Sequence, residues 1–347
     1  MFKRVIGIRT NEWSNLEQNL YNQLLQYFSA QEIFVVIDES KKKVETPRYI
    51  QKIYWDTEFI KNNRLLDYNH FNRGIGWLAG DYFYYAFREK IESEYYWLVE
   101  PDVGFTFDHL SNFFSIFEAY NDDALLGNFG VREESDYWNK SANLISDETY
   151  GCLFPLSRLS GKAIDICKLE RQRLSSLYSE KNAFSYIDNP IGVHFPNDEV
   201  LVATTLMREQ YKITSFNKVM PYSFSYHQWF SIPDKETLKP LNNVIHPIRP
   251  IAKFTDRISS EIIEHLDQTQ LLNYTMVDLD SVEYISTSVG RIVSDYLKKN
   301  LSGNFNHMLA IESIRESIIS AVSRQPSAVS RQPSAVSRQP SAVSRQP

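Results

Sequence analysis

The chain is poor in cysteine and glycine and has no long apolar run, and each shortage closes off a class of protein. Its 347 residues hold two cysteines, Cys152 and Cys167. They give neither a disulfide framework nor a metal spacing, and a reducing compartment fits. The 12 glycines form no phosphate-cradling loop. Gly74-Ile75-Gly76 is too short for either nucleotide fingerprint, which argues against a P-loop kinase and a dinucleotide oxidoreductase. A G-x-S-x-G elbow is missing too, which argues against a serine hydrolase. No segment approaches the ~18 consecutive apolar residues of a membrane helix. The N-terminus, MFKRVIGIRT, lacks the apolar stretch of a secretion signal. Positive charge is scarce: 37 Lys and Arg against 43 Asp and Glu leave a net charge of -6. The run Lys41-Lys42-Lys43 reads as a solvated loop, and no nucleic-acid partner is expected. The absences predict a cytoplasmic protein, with a peripheral place at the inner membrane left open.

Aromatics are plentiful, with 21 Tyr, 21 Phe and 6 Trp, enough to fill a core with rings. The last stretch, Ser320 to Pro347, repeats SAVSRQP four times without change. It has no hydrophobic period and a proline in every unit, so it is expected to be disordered and not catalytic. Upstream, RVIGIR at Arg4–Arg9 reads as a strand. Leu16, Leu20 and Leu24 recur at helical spacing, and EIFVVI at Glu32–Ile37 reads as a second strand. Strand, helix, strand in about 35 residues implies a parallel sheet. A short strand is expected at Ile50–Tyr54, a helix over Gly76–Lys90 and an apolar strand at Tyr95–Val99. Another helix is expected around Leu110–Phe117, and a strand near Asp122–Phe129. The second half predicts helices over Ser160–Leu177 and Glu199–Glu209 and a strand at Tyr211–Phe216. Two further helical stretches lie near Ile258–Leu272 and Val282–Lys298. The expected layout is a domain over 1–254, a helical C-terminal segment over 255–319 and the repeat tail over 320–347.

The most informative segment is YYWLVEPDVGF, Tyr95 to Phe105. A buried strand ends in two carboxylates, Glu100 and Asp102, at i and i+2. In extended chain that spacing puts both on one face. Strand ends of an open α/β sheet are where such folds bind ligands. Two oxygen ligands there suit Mg²⁺ or Mn²⁺ with substrate phosphates completing the shell. The plain alternative is a strand ending in an acidic turn.

Tyr95–Phe105 resembles the DXD-type metal motif of GT-A glycosyltransferases, in E-X-D form. The stretch Gly76–Phe105 is similar to bacterial polysaccharide glycosyltransferases with a W-x-x-G-D helix before that motif. The resemblance implies a GT-A-like, Rossmann-type α/β/α sandwich with a mostly parallel central sheet and a helical C-terminal extension. It implies a sugar moved from a nucleotide-sugar donor to a hydroxyl of a glycan or glycolipid, in the setting of lipopolysaccharide or capsule. Under it Asp102 is the principal ligand of Mn²⁺ or Mg²⁺, and Glu100 contacts the metal or the ribose. His246, in NVIHP, completes the shell, with His227 as competitor. Asp198 and Glu199, opening a helix in FPNDE, face the acceptor, with Asp198 ahead of Glu199 as base. Arg9, Thr10 and Asp38, at the ends of the first two strands, sit where base and ribose bind. Asp81 joins them, against a reading as an exposed mid-helix residue.

Several of these residues carry structural readings as well. Acids in a first helical turn complement the helix dipole, and Asn197 is a good N-cap. In YGCLFPLSRL, Gly151 and the apolar run after it wall the donor sugar, and Ser157 and Arg158 reach phosphate; otherwise this is a strand entering a helix with Ser157 as cap. Two rival functions remain: a sugar nucleotidyltransferase, disfavoured because Ile8–Glu12 lacks a glycine-rich basic loop, and a non-catalytic carbohydrate-binding protein on a transferase scaffold.

Overall fold

The computed structural model of the chain describes residues 2–67, 75–134, 136, 139–180, 195–221, 224–226 and 244–248. His227, the helices expected beyond residue 255 and the repeat tail lie outside the described residues. Every element below belongs to one unit, residues 1–227 with 240–247.

Strand β1 (Phe2–Thr10), helix α1 (Asn15–Leu24) and strand β2 (Ile33–Asp38) form the βαβ start, and β3 (Lys52–Trp55) and α2 (Thr57–Asn62) follow. Helix α1 begins at a capping box in which Ser14 and Glu17 satisfy each other's backbone N–H groups. The stretch expected as one helix over Gly76–Lys90 is two, α3 (Ile75–Leu78) and α4 (Asp81–Lys90). They part at Ala79 and Gly80. Next come β4 (Ser93–Val99), β5 (Gly104–Phe105), α5 (Ser111–Glu118), β6 (Ala124–Val131), α6 (Asn139–Ala142), β7 (Tyr150–Ser160) and α7 (Gly161–Glu180). The described chain closes with α8 (Asp198–Arg208), β8 (Ile213–Ser215), α9 (Phe216–Val219), β9 (Phe224–Tyr226) and β10 (Val244–His246).

The central sheet has seven strands in the order β3-β2-β1-β4-β7-β6-β8. Strand β7 runs antiparallel to both neighbours, and the remaining pairs are parallel. Side chains alternate between two aromatic-rich layers, as the pleat requires. From β2, Ile33, Val35 and Ile37 enter the layer under α1 and α5, while Phe34 and Val36 enter the layer under α4, α7 and α8. From β4, Trp97 and Val99 take the first layer and Tyr96 and Leu98 the second. The result is the expected α/β/α sandwich with a mostly parallel sheet. In the α5 layer Trp97 meets Phe114 edge-on at 5.1 Å and stacks on Phe216 at 6.0 Å.

Strand β7 corrects the phosphate reading of Ser157 and Arg158. Arg158 is buried and donates to the carbonyls of Phe117, Tyr120 and Asp122. Its guanidinium thereby serves the end of α5 and the turn after it, and lies over the Tyr95 ring at 4.3 Å. Burial pushes its pKa down to about 10. Ser157 shares a hydrogen bond with the Tyr84 hydroxyl at 2.9 Å. The cap of α7 is Ser160, whose Oγ accepts from Ala163 N–H at 3.2 Å.

A three-stranded sheet, β5-β10-β9, adds to this frame. Strand β10 pairs antiparallel with β5, Ile245 opposite Gly104, and parallel with β9.

Candidate active site

Register brings the ends of three strands to one edge. Ile8 of β1 lies opposite both Val35 of β2 and Val99 of β4. One or two residues further on come Arg9, Thr10 and Glu100, at the carboxyl edge where such sheets bind ligands.

Glu100, Pro101 and Asp102 are not extended, as their spacing suggested. They form a tight turn in which Val103 N–H donates to Glu100 C=O at 3.1 Å. Proline suits the second position of such a turn because its φ is already set. Glu100 N–H donates to Pro155 C=O of β7 at 2.8 Å, which anchors the turn to the sheet. Both carboxylates still reach one place, because the turn folds Asp102 back beside Glu100.

His246 arrives there through the small sheet. Strand β5 begins two residues after Asp102, so the pairing of β10 with β5 carries His246 to the turn. Its Nε2 lies 3.0 Å from Glu100 Oε2 and 3.3 Å from Asp102 Oδ1. Ligand atoms of Glu100, Asp102 and His246 all fall within 4.8 Å of one another. Among the described residues this is the one group of its kind. Two carboxylates and an imidazole could together hold a divalent metal ion. Burial disfavours the histidine's charge, but hydrogen bonds to the two carboxylates outweigh it and push His246 up to about 9.

Arg9 ties this cluster to helix α8. Its Nη2 contacts Glu100 Oε1, and its Nη1 donates to Asp198 Oδ2 at 3.1 Å. The guanidinium lies 5.4 Å from the Phe154 ring. Burial opposes its charge, and Glu100 and Asp198 together outweigh burial, so its pKa is raised. Glu100 shows the converse: burial would raise it, but Arg9 and His246 hold it well below the usual carboxylate range. Asp198 heads α8 and is 3 % exposed. Burial is the largest influence on it; Arg9 pulls it down, Glu199 and Asp81 push it up, and it stands at about 8. Glu199 is also raised by burial, against Asn197 and Arg132. Asn197 is the N-cap of α8 as its type suggests, with its side chain accepting from Val200 N–H.

The remaining expected residues make other contacts. Thr10 Oγ1 donates to Glu17 Oε1 at 2.8 Å, inside the α1 capping network. Asp38 ends β2, accepts from Ser40 N–H at 2.9 Å, and is raised by burial. Asp81 is neither mid-helix nor exposed: it opens α4 and is 1 % exposed. Its two oxygens accept from Arg171 Nη2 and Nε, both at 2.7 Å, and Tyr85 O–H donates to it at 2.6 Å.

Two residues were not anticipated. Arg171 falls on the buried stripe Ile164, Cys167, Arg171, Leu174 of α7, and a charge on an apolar stripe is the signal that marks it. Gly80 touches the Arg9–Asp198 pair so closely that a Cβ there would overlap both side chains. A Cβ on Gly151 would likewise overlap the Arg132 guanidinium, so the glycine expected to wall a donor sugar makes room for a cation.

No protein-family model matches the chain, and no curated protein sequence matches it. Solved structures show distant likeness. Mouse xyloside xylosyltransferase 1 in its apo form is 10% identical, with a TM-score of 0.32 over 65% of this chain and 88% of that one. The glycosyltransferase GlyE of Streptococcus pneumoniae TIGR4 is 9% identical, with a TM-score of 0.31 over 62% of this chain and 46% of its own length. The inositol-1-phosphate CTP transferase of T. maritima is 10% identical, with a TM-score of 0.28 over 62% of this chain and 85% of that one. Likeness at this level assigns no role to any residue, and the site stands on its own geometry.

Proposed function

We propose that the protein is a metal-dependent glycosyltransferase that moves a sugar from a nucleotide-diphosphate donor to a hydroxyl of a glycan. The observation that carries this reading is the convergence of Glu100, Asp102 and His246 at the carboxyl edge of the sheet, with Arg9 and Asp198 beside them. Glu100, Asp102 and His246 would hold Mn²⁺ or Mg²⁺, and the ion supplies charge neutralisation to a departing diphosphate. Arg9 stands beside Glu100 at the end of β1, and the nucleotide would lie along the ends of β1 and β2. Asp198 takes the proton of the attacking hydroxyl at Oδ1, the oxygen that Arg9 does not hold. A carboxylate with a pKa near 8 suits this role, because a base works best when its pKa lies near the working pH. Such a base favours an inverting reaction. The resemblance of Gly76–Phe105 to bacterial polysaccharide transferases supports a surface glycan, lipopolysaccharide or capsule, as acceptor.

The test is a thermal-shift panel of UDP, GDP and CMP compounds with and without Mn²⁺, followed by donor hydrolysis. Stabilisation by a nucleoside diphosphate that requires Mn²⁺ is expected, growing with ligand concentration over its dissociation constant. Asp102→Ala should remove that response and slow hydrolysis by at least about 10²-fold. A response confined to CMP compounds, whose monophosphate leaving group needs no such ion, would overturn the proposal.

A further inference from the structure

The geometry points to the buried Asp81–Arg171 pair as the positioning device for Asp198. The inference rests on the reading of Asp198 as the base. A closed ring of contacts carries it. Arg171 uses Nε and Nη2 on Asp81 and its remaining arm, Nη1, on Pro196 C=O at 2.6 Å. Pro196 lies two residues before Asp198, and Asn197 between them caps the helix that Asp198 opens. Asp198 holds Arg9, and the pair packs on Gly80, the residue before Asp81. The ring therefore runs from Asp81 through Arg171, Pro196, Asp198, Arg9 and Gly80 back to Asp81.

Each link is short and dry. Arg171 is 0% exposed and lies 4.8 Å from the Phe195 ring, which closes it from the other side. A guanidinium that spans a carboxylate and a carbonyl fixes their separation, because its donors form a rigid fork. Helix α4 and the start of α8 are thus held at one spacing, and Asp198 and Arg9 sit in the gap. Gly80 has ordinary helical dihedrals, φ -61 and ψ -15, so its lack of a side chain serves the close approach of Arg9 and Asp198 and not a strained backbone. The titratable groups that act on Asp198 come from four elements: Arg9 from β1, Asp81 from α4, Cys152 from β7 and Glu199 from α8 itself.

The test compares Asp81→Glu, which keeps the charge and displaces it, with Asp81→Asn, which removes it. The full chain is used with Mn²⁺, and circular dichroism melts establish folding. Both variants should lose about 10- to 100-fold in kcat, the scale of a small misplacement at a reacting centre, with donor KM held within about two-fold. The acid limb of kcat against pH should move down by about one unit in Asp81→Asn alone, since that variant removes a neighbouring like charge. Folded variants with the wild-type kcat and limb would overturn the inference. If Asp81→Asn does not fold, Asp81→Glu decides on kcat. Failure of the transferase reading looks different, as wild-type protein that turns over no nucleotide sugar. The same limb is then read as the ¹³C carboxyl titration of Asp198, identified by its loss in Asp198→Asn. A titration unmoved by both Asp81 substitutions overturns the positioning role there too.

Discussion

Arg171 and Arg9 are both buried, and both pair with the aspartate that opens a helix, yet they are built for different ends. Arg171 spends two N–H groups on Asp81, both at 2.7 Å, and a third arm on a carbonyl. Arg9 is split between Asp198 at 3.1 Å and Glu100, a residue that also faces His246. A bidentate pair sealed from water holds a fold together and has nothing left to offer a ligand. A shared guanidinium gives Asp198 only part of a cation, whereas Glu100 has His246 as well. That shortage is visible in Asp198, which stays at about 8 although Arg9 touches it. Saturation marks the strut, and partial satisfaction marks the site.

Substitution separates the two arginines, most strongly at the site. Asp198→Asn should lower kcat by about 10²- to 10⁴-fold, the usual worth of a general base, while thermal melts stay level or rise. Unchanged turnover of a nucleotide sugar would remove Asp198 from the chemistry. At the strut the loss falls on stability. Asp81→Ala strips the buried Arg171 charge of its carboxylate and should cost about 3–5 kcal/mol in urea unfolding. Replacing both partners at once, Asp81→Leu with Arg171→Met, should cost less than the single change, because no charge is stranded. A double variant as damaged as the single one would show that the pair's worth lies in more than charge balance.

A third consequence is a pH slope. Asp198 stands at about 8 when folded against an ordinary value of 3.8. Between those values the folded protein keeps a proton that the unfolded chain has released. Stability should therefore fall as pH rises from about 4 to about 8, and level off above. The amide introduced by Asp198→Asn cannot titrate, so that variant should lose this part of the slope. Denaturant melts across the range measure it, and an identical slope in both proteins would contradict the raised pKa.

Much of this was legible in the chain because it is local. An apolar strand ending in Glu100-Pro101-Asp102 is read from consecutive residues, as is Asn197 before an acidic first turn. The same locality explains three misreadings. Glu100 and Asp102 suggested an extended face, but Pro101 is equally at home in a turn, and the Val103-to-Glu100 hydrogen bond chose the turn. Asp81 looked solvent-facing because its partner Arg171 is 90 residues away. Arg158 next to Ser157 suggested phosphate, and three carbonyls at and just beyond the α5 end claim it instead.

The order of residues along the chain sufficed for the alternation of strands and helices and the acidic end of β4. Those follow from hydrophobic period and turn chemistry within a few residues. Only the tertiary structure decided that His246 meets Glu100 and Asp102, that Arg9 stands between Glu100 and Asp198, and that Arg171 closes on Asp81. Such meetings depend on strand register and helix packing across long stretches of chain, and side-chain type alone does not specify its distant partner.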